Sequence, residues 1–254
     1  MKNISNIGYV AISFFALLLL IISNVYAAYS EEPFFLSISQ AIVIPFFLIA
    51  FLIKNKILNL VFISFLVFSF FGDTSGLFFV NDSTTNVSNT MYLFSYMALI
   101  VIGVSKFELV NIDKVIGFYL LGIFLINGYF LFTLCSMLSI LITDGTEMIL
   151  FGTKSMALML LVFISFAVYL GKQTKASILF LIMAICFVFS DILNYIEHYY
   201  VYNWSILMIE RLLHIAGLFF AFYYIIEVNK VPKGTYVRKD ILREKTFSGD
   251  NILT

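Results

Sequence analysis

Apolar runs of about 20 residues recur from one end of this chain to the other, the length an α-helix needs to cross bilayer hydrocarbon. Eight can be delimited, over about 8–28, 34–53, 57–80, 91–110, 115–142, 148–171, 176–199 and 205–228. Each is far longer than a strand, and none shows the period-two alternation of a membrane β-barrel. Lipid leaves backbone polar groups no water to bond, so helices are the remaining solution. The expected fold class is all-α: a polytopic membrane bundle of about eight transmembrane helices, one domain over 1–229, with a tail over 230–254. Composition agrees, since only 12% of residues are charged against roughly 25% in soluble domains.

Basic residues sort by loop. Lys2, Lys54, Lys56, Lys106, Lys114, Lys172, Lys175 and the tail basics from Lys230 onward alternate with loops free of Lys and Arg, which read SEEP, NDSTTNVSNT, ITDGTE and HYYVYN. The positive-inside rule then puts both termini in the cytoplasm, as an even number of spans requires. Val25-Tyr26-Ala27 also fits a small-residue cleavage site, and removal of the first span would leave seven helices with the rest unchanged. A net charge of zero and a tail in which Asp240, Glu244 and Asp250 dilute the bases argue against nucleic acid as a partner. Cys135 and Cys186 both fall within spans, so no disulfide framework is implied. Heavy use of Ile, Phe, Asn and Lys is compatible with an AT-rich genome, and a bacterial inner membrane is the expected location.

Against this background two carboxylates stand out, Asp73 and Asp191. A carboxylate at bilayer depth costs roughly 2.5–3.5 kcal/mol on insertion scales, so it is rarely kept without a use. Asp73 lies about 24 Å and Asp191 about 22 Å from the inner ends of spans three and seven, at 1.5 Å of rise per residue. Glu210, Arg211 and His214 on span eight, Lys154 on span six and Tyr92, Ser95 and Tyr96 on span four fall at similar depth. Asn194 and His198 follow Asp191 at i+3 and i+7, and Gly72 and Gly76 form a G-x-x-x-G pattern that lets a neighbouring backbone come close. Asn127 and Tyr129 on span five are expected as lower walls of the same cavity. The plain structural alternative is that Asp73 pairs with Arg211 or Lys154 as a buried ion pair.

Several chemistries lack their residues. There is no glycine-rich phosphate loop, no G-x-S-x-G and no H-E-x-x-H. Two histidines and two separated cysteines make a poor zinc set, and neither a metal nor any other cofactor is expected. The last span has no mid-helix lysine for a retinal, and no inverted repeat of broken helices points to a transporter. What remains is carboxylate chemistry.

With Gly72-Asp73 on span three and Ser190-Asp191 on span seven, the chain resembles the lysoplasmalogenase-like (YhhN-type) family of eight-span membrane proteins, across nearly its whole length. It departs where that family often has a histidine, with Phe94-Ser95-Tyr96 there instead, and in the stretch Glu210-Arg211-Leu212-Leu213-His214. The resemblance implies hydrolysis of the vinyl ether bond of lysoplasmalogen-like lipids, with a membrane lipid as substrate. A carboxylic acid in a low-dielectric site can protonate the alkene carbon, and an ionised carboxylate can stabilise the oxocarbenium ion that water captures. Asp73 and Asp191 are the catalytic candidates, with Asp191 favoured as the acid on no decisive ground. Arg211, His214, Lys154, Asn194, Glu210, Tyr96 and Asn127 are the substrate-binding candidates. A non-catalytic lipid or small-molecule binder is the alternative, and a proton-coupled transporter the third reading.

Overall fold

The computed structural model describes residues 17–30, 32–54, 59–78, 83–106, 114–140, 142, 144–201 and 203–230. Among these the secondary structure is all helical, in nine helices. They are α1 (Leu17–Ser30), α2 (Pro33–Ala41), α3 (Val43–Lys54), α4 (Leu60–Phe78), α5 (Ser83–Val104), α6 (Lys114–Leu138), α7 (Gly145–Lys172), α8 (Lys175–Tyr199) and α9 (Trp204–Lys230). Within α5 to α9 lie five stretches long and apolar enough to cross a membrane, and the chain is a multi-pass membrane protein. The expected tail over 230–254 begins at the last described residue, and Lys2, Lys56 and Gly76 have no described packing.

Proline and capping residues explain the breaks. Pro33 opens α2, where its missing N–H is no loss. Pro45 clashes with the carbonyl four residues back, and the second expected span is accordingly interrupted at Ile42. The turn from α7 to α8 takes two residues. Gln173 adopts a left-handed conformation (φ 45°) and returns its N–H to Tyr169, while Thr174 and Ser177 cap α8 reciprocally.

One expectation fails at the fourth span. The polar stretch expected as a loop before residue 91 is helical from Ser83, and the helix ends at Val104 instead of 110. Thr90 donates back to the Asn86 carbonyl at 2.7 Å, the Asn86 amide donates to Asp144, which caps α7, and Asn89 Oδ1 accepts from Lys154 of α7. These polar residues are not loop-formers here because a neighbouring helix supplies their partners.

The helices close a ring in the order α4, α5, α7, α8, α9, with α2 and α3 between α9 and α4. One continuous core fills it, centred on Phe62, Phe65, Phe180, Phe187 and Leu218, each no more than 1% exposed. Packing is close between α8 and α9, where a Cβ added to Gly217 would stand 2.8 Å from the Phe187 ring, and between α5 and α7, where one at Gly103 would stand 2.8 Å from Ile164. At Gly72 it is the Tyr92 ring, not a neighbouring backbone, that takes the vacated space. Helix α6 stays outside the ring, against α7.

Candidate functional site: a polar girdle and a groove

Near the end of the bundle that carries the α4–α5, α6–α7 and α8–α9 connections, successive helices are joined by polar contacts. The Asn24 amide of α1 donates to the Ser39 carbonyl of α2 at 3.3 Å. Arg211 of α9 donates through Nη1 to the Leu36 carbonyl and Ser39 Oγ, both at 3.0 Å. Ser190 of α8 donates to Glu210 of α9 at 3.1 Å. Lys154 of α7 meets Asp191 of α8 at 2.6 Å and donates to Asn89 of α5 at 2.7 Å. Tyr92 of α5 donates its hydroxyl to Asp73 Oδ1 of α4, and His214 of α9 stands 3.5 Å from that same oxygen. Helices lack a hydrophobic drive to associate in lipid, so bonds of this kind help to select their neighbours.

The girdle is incompletely satisfied. Asp73 Oδ2, His214 Nε2, Arg211 Nε and Ser95 Oγ are all buried without a hydrogen-bond partner. Each such group costs about 1–3 kcal/mol of lost solvation. Three of the four belong to side chains that share one electrostatic neighbourhood, for Asp73 acts on Arg211 and touches His214. Tyr92 and Tyr96 stack with ring centroids 6.1 Å apart, and buried Tyr96 lies within reach of Asp73, Asp191 and Glu210 together.

The two aspartates therefore belong to different local sets. Asp191 answers Lys154, whereas Asp73 answers a phenol and an imidazole. Neither of the ion pairs considered for Asp73, with Arg211 or with Lys154, is formed; Lys154 takes Asp191 and Arg211 takes α2. Of the other expected residues, Glu210 is bound by Ser190, while Asn194 is exposed and points away, as does His198. The three positions of the i, i+3, i+7 stripe share a face of α8, but only Asp191 is met from another helix, by the long Lys154 side chain of α7, while Asn194 and His198 remain exposed. Asn127 is also exposed, its amide returned to the Ile123 carbonyl at 2.9 Å. Asn89 and Ser39 are partners that the sequence does not announce; the polar stretch hides the first, and nothing in the second span marks the other.

Outside the ring, α6, α7 and α8 form a groove of about 1270 Å³. Leu158, Val162, Phe163, Phe166 and Val188 give it apolar walls, and Asp191 is its one ionisable carboxylate. Asn127 borders the groove but not the ring, and Asp73 does not border it. Among the described residues no three His, Cys, Asp or Glu side chains gather as metal ligands. No family model, curated protein or solved structure matches the chain.

Proposed function

We propose that the chain is an eight-span protein of a bacterial inner membrane, with both termini cytoplasmic, that hydrolyses the vinyl ether bond of lysoplasmalogen-like lipids. The observation that carries this reading is the unsatisfied cluster around Asp73. Asp73 Oδ2, His214 Nε2 and Arg211 Nε make no hydrogen bond to another protein group, which leaves polar valences that a bound ligand could take.

The environments favour a division of labour. The Lys154 ammonium at 2.6 Å supports Asp191 as the ionised partner. Asp73 has one oxygen that meets no donor, the place where a carboxyl proton leaves least charge uncompensated. That reverses the assignment favoured from the sequence. In the reaction, Asp73 gives its proton to the alkene carbon and the C=C electrons leave an oxocarbenium ion. Water adds to the cation, loses a proton that restores the acid, and the hemiacetal collapses to aldehyde and alcohol. The second carboxylate stabilises the cation electrostatically.

Aldehyde release from a panel of lysoplasmalogens by the purified protein tests the reading, beside Asp73→Asn and Asp191→Asn. Loss in both variants at retained melting temperature is the expected result. Release that survives Asp73→Asn, or no release from any substrate, overturns it. Lipid binding without catalysis is the second reading, favoured by one observation: Asp191 borders the groove and Asp73 does not.

A further inference from the structure

We infer that the groove between α6, α7 and α8 binds one lipid with a single hydrocarbon tail and an uncharged, hydroxyl-bearing backbone such as glycerol. The site stands independently of whether the aspartates are catalytic.

Depth gives the groove two parts. Counted from the helix ends at Leu138, Gly145 and Tyr199, Asn127, Ser155 and Asp191 all lie about 12–17 Å down their helices. They form a polar tier on three different helices. From Ser155 to Tyr169 the α7 wall then runs about 21 Å, lined by side chains such as Leu158, Val162 and Phe166. One leaflet supplies about 15 Å of hydrocarbon, half of a ~30 Å core. A single extended tail therefore fits beneath the tier.

Charge selects what sits at the tier. The one charged group bordering the groove, Asp191, is already matched by Lys154 at 2.6 Å. An ionised head at this depth would lose its hydration and find no free counter-charge, at high cost. An uncharged hydroxyl meets the Asp191 oxygens, the Asn127 amide and the Ser155 hydroxyl at no such cost. Above the tier, Tyr195 is 5% exposed and borders the groove beside Tyr200, with which its hydroxyl interacts. A transmembrane helix laid in the same groove would leave the polar tier facing apolar side chains.

Native mass spectrometry of the full chain in detergent, titrated with a monoacylglycerol, tests the site. One molecule bound per chain is expected, with at least tenfold weaker occupancy in Ser155→Trp and in Met159→Trp, which fill the groove from α7. Gly122→Trp, on α6 where an added Cβ meets nothing within 4 Å, is expected to bind as the parent does. Two plugging variants keep the test informative should one of them fail to fold. Graded uptake of several lipids, equal binding by folded Ser155→Trp and Met159→Trp, or a dimer that buries the α6 face overturns the proposal. A parent chain that binds one monoacylglycerol yet releases no aldehyde overturns the hydrolase reading alone.

Discussion

Helices α9 and α6 have similar lengths and are both strongly apolar, yet they live in opposite surroundings. The apolar window of α9 is 44% buried within the protein and that of α6 only 6%. On α6, Phe118, Tyr119, Tyr129 and Phe132 are each more than two-thirds exposed. On α9, Ile215, Leu218 and Ala221 are at most 2% exposed. Hydropathy does not separate the two because lipid is as apolar as a protein core. What separates them is what each helix offers a neighbour. Glu210, Arg211 and His214 face partners on α8, α2 and α4, and Gly217 admits Phe187. Glycine alone is no such signal, for Gly122 and Gly128 on α6 receive at most one distant methyl.

Substitutions can break that contrast. The largest effect is expected at Lys154, whose side chain is 5% exposed. Lys154→Met leaves Asp191 without its counter-charge and is expected to cost about 3–5 kcal/mol. Asp191→Asn in the same chain is expected to recover most of it, as read from thermal melts in detergent. Gly217→Val drives two methyl groups into Phe187 and is expected to cost about 1–3 kcal/mol. An unchanged melting temperature there would mean that α8 and α9 pack less closely than described. On α6 the sign reverses: Gly122→Ala meets nothing and is expected to stabilise by about 0.5–1 kcal/mol through helix propensity alone. A loss at Gly122 would reveal a partner seated on α6.

The smallest effect belongs to Asp144, outside the spans at the start of α7. The Thr146 backbone N–H and the Asn86 amide hold its carboxyl below the ordinary 3.8. A depressed folded value stabilises above the unfolded one and is lost as pH falls through the folded one. Asp144→Ala is therefore expected to melt slightly below the parent at neutral pH, the gap closing below pH 3.8. A gap that persists in acid would assign the effect to something other than this carboxylate.

Much of this arrangement is legible from residues, for physical reasons that also mark where legibility stops. Charged side chains in apolar runs must find partners in the interior, so Asp73, Lys154, Asp191, Glu210 and Arg211 announce an inward face. Counting rise per residue brings them near one level, though it cannot say who pairs with whom. Lys154 meets Asp191 rather than Asp73 because α7 adjoins α8 and α5 in the ring, and helix order is not written in hydropathy. Amides such as Asn127 and Asn194 are cheap enough to sit on either side of a helix, so their facing is unreadable. The start of α5 is obscured for the converse reason. Ser83–Thr90 has the composition of a loop, and only the presence of α7 makes its helix worthwhile.

The closure of the ring also sets a timetable. Arg211 grips the Leu36 carbonyl across 175 positions of sequence, and His214 reaches Asp73 from the same late helix. Synthesis runs from the N-terminus, and contacts this distant in sequence form last. Until α9 enters the membrane, Asp73 has lost one side of its enclosure and Ser39 its guanidinium. A ribosome that stops after α8 would thus release a chain whose polar interior lies open to lipid. The candidate site comes into being only with α9, the last of the described helices, which acts as the keystone of the whole ring.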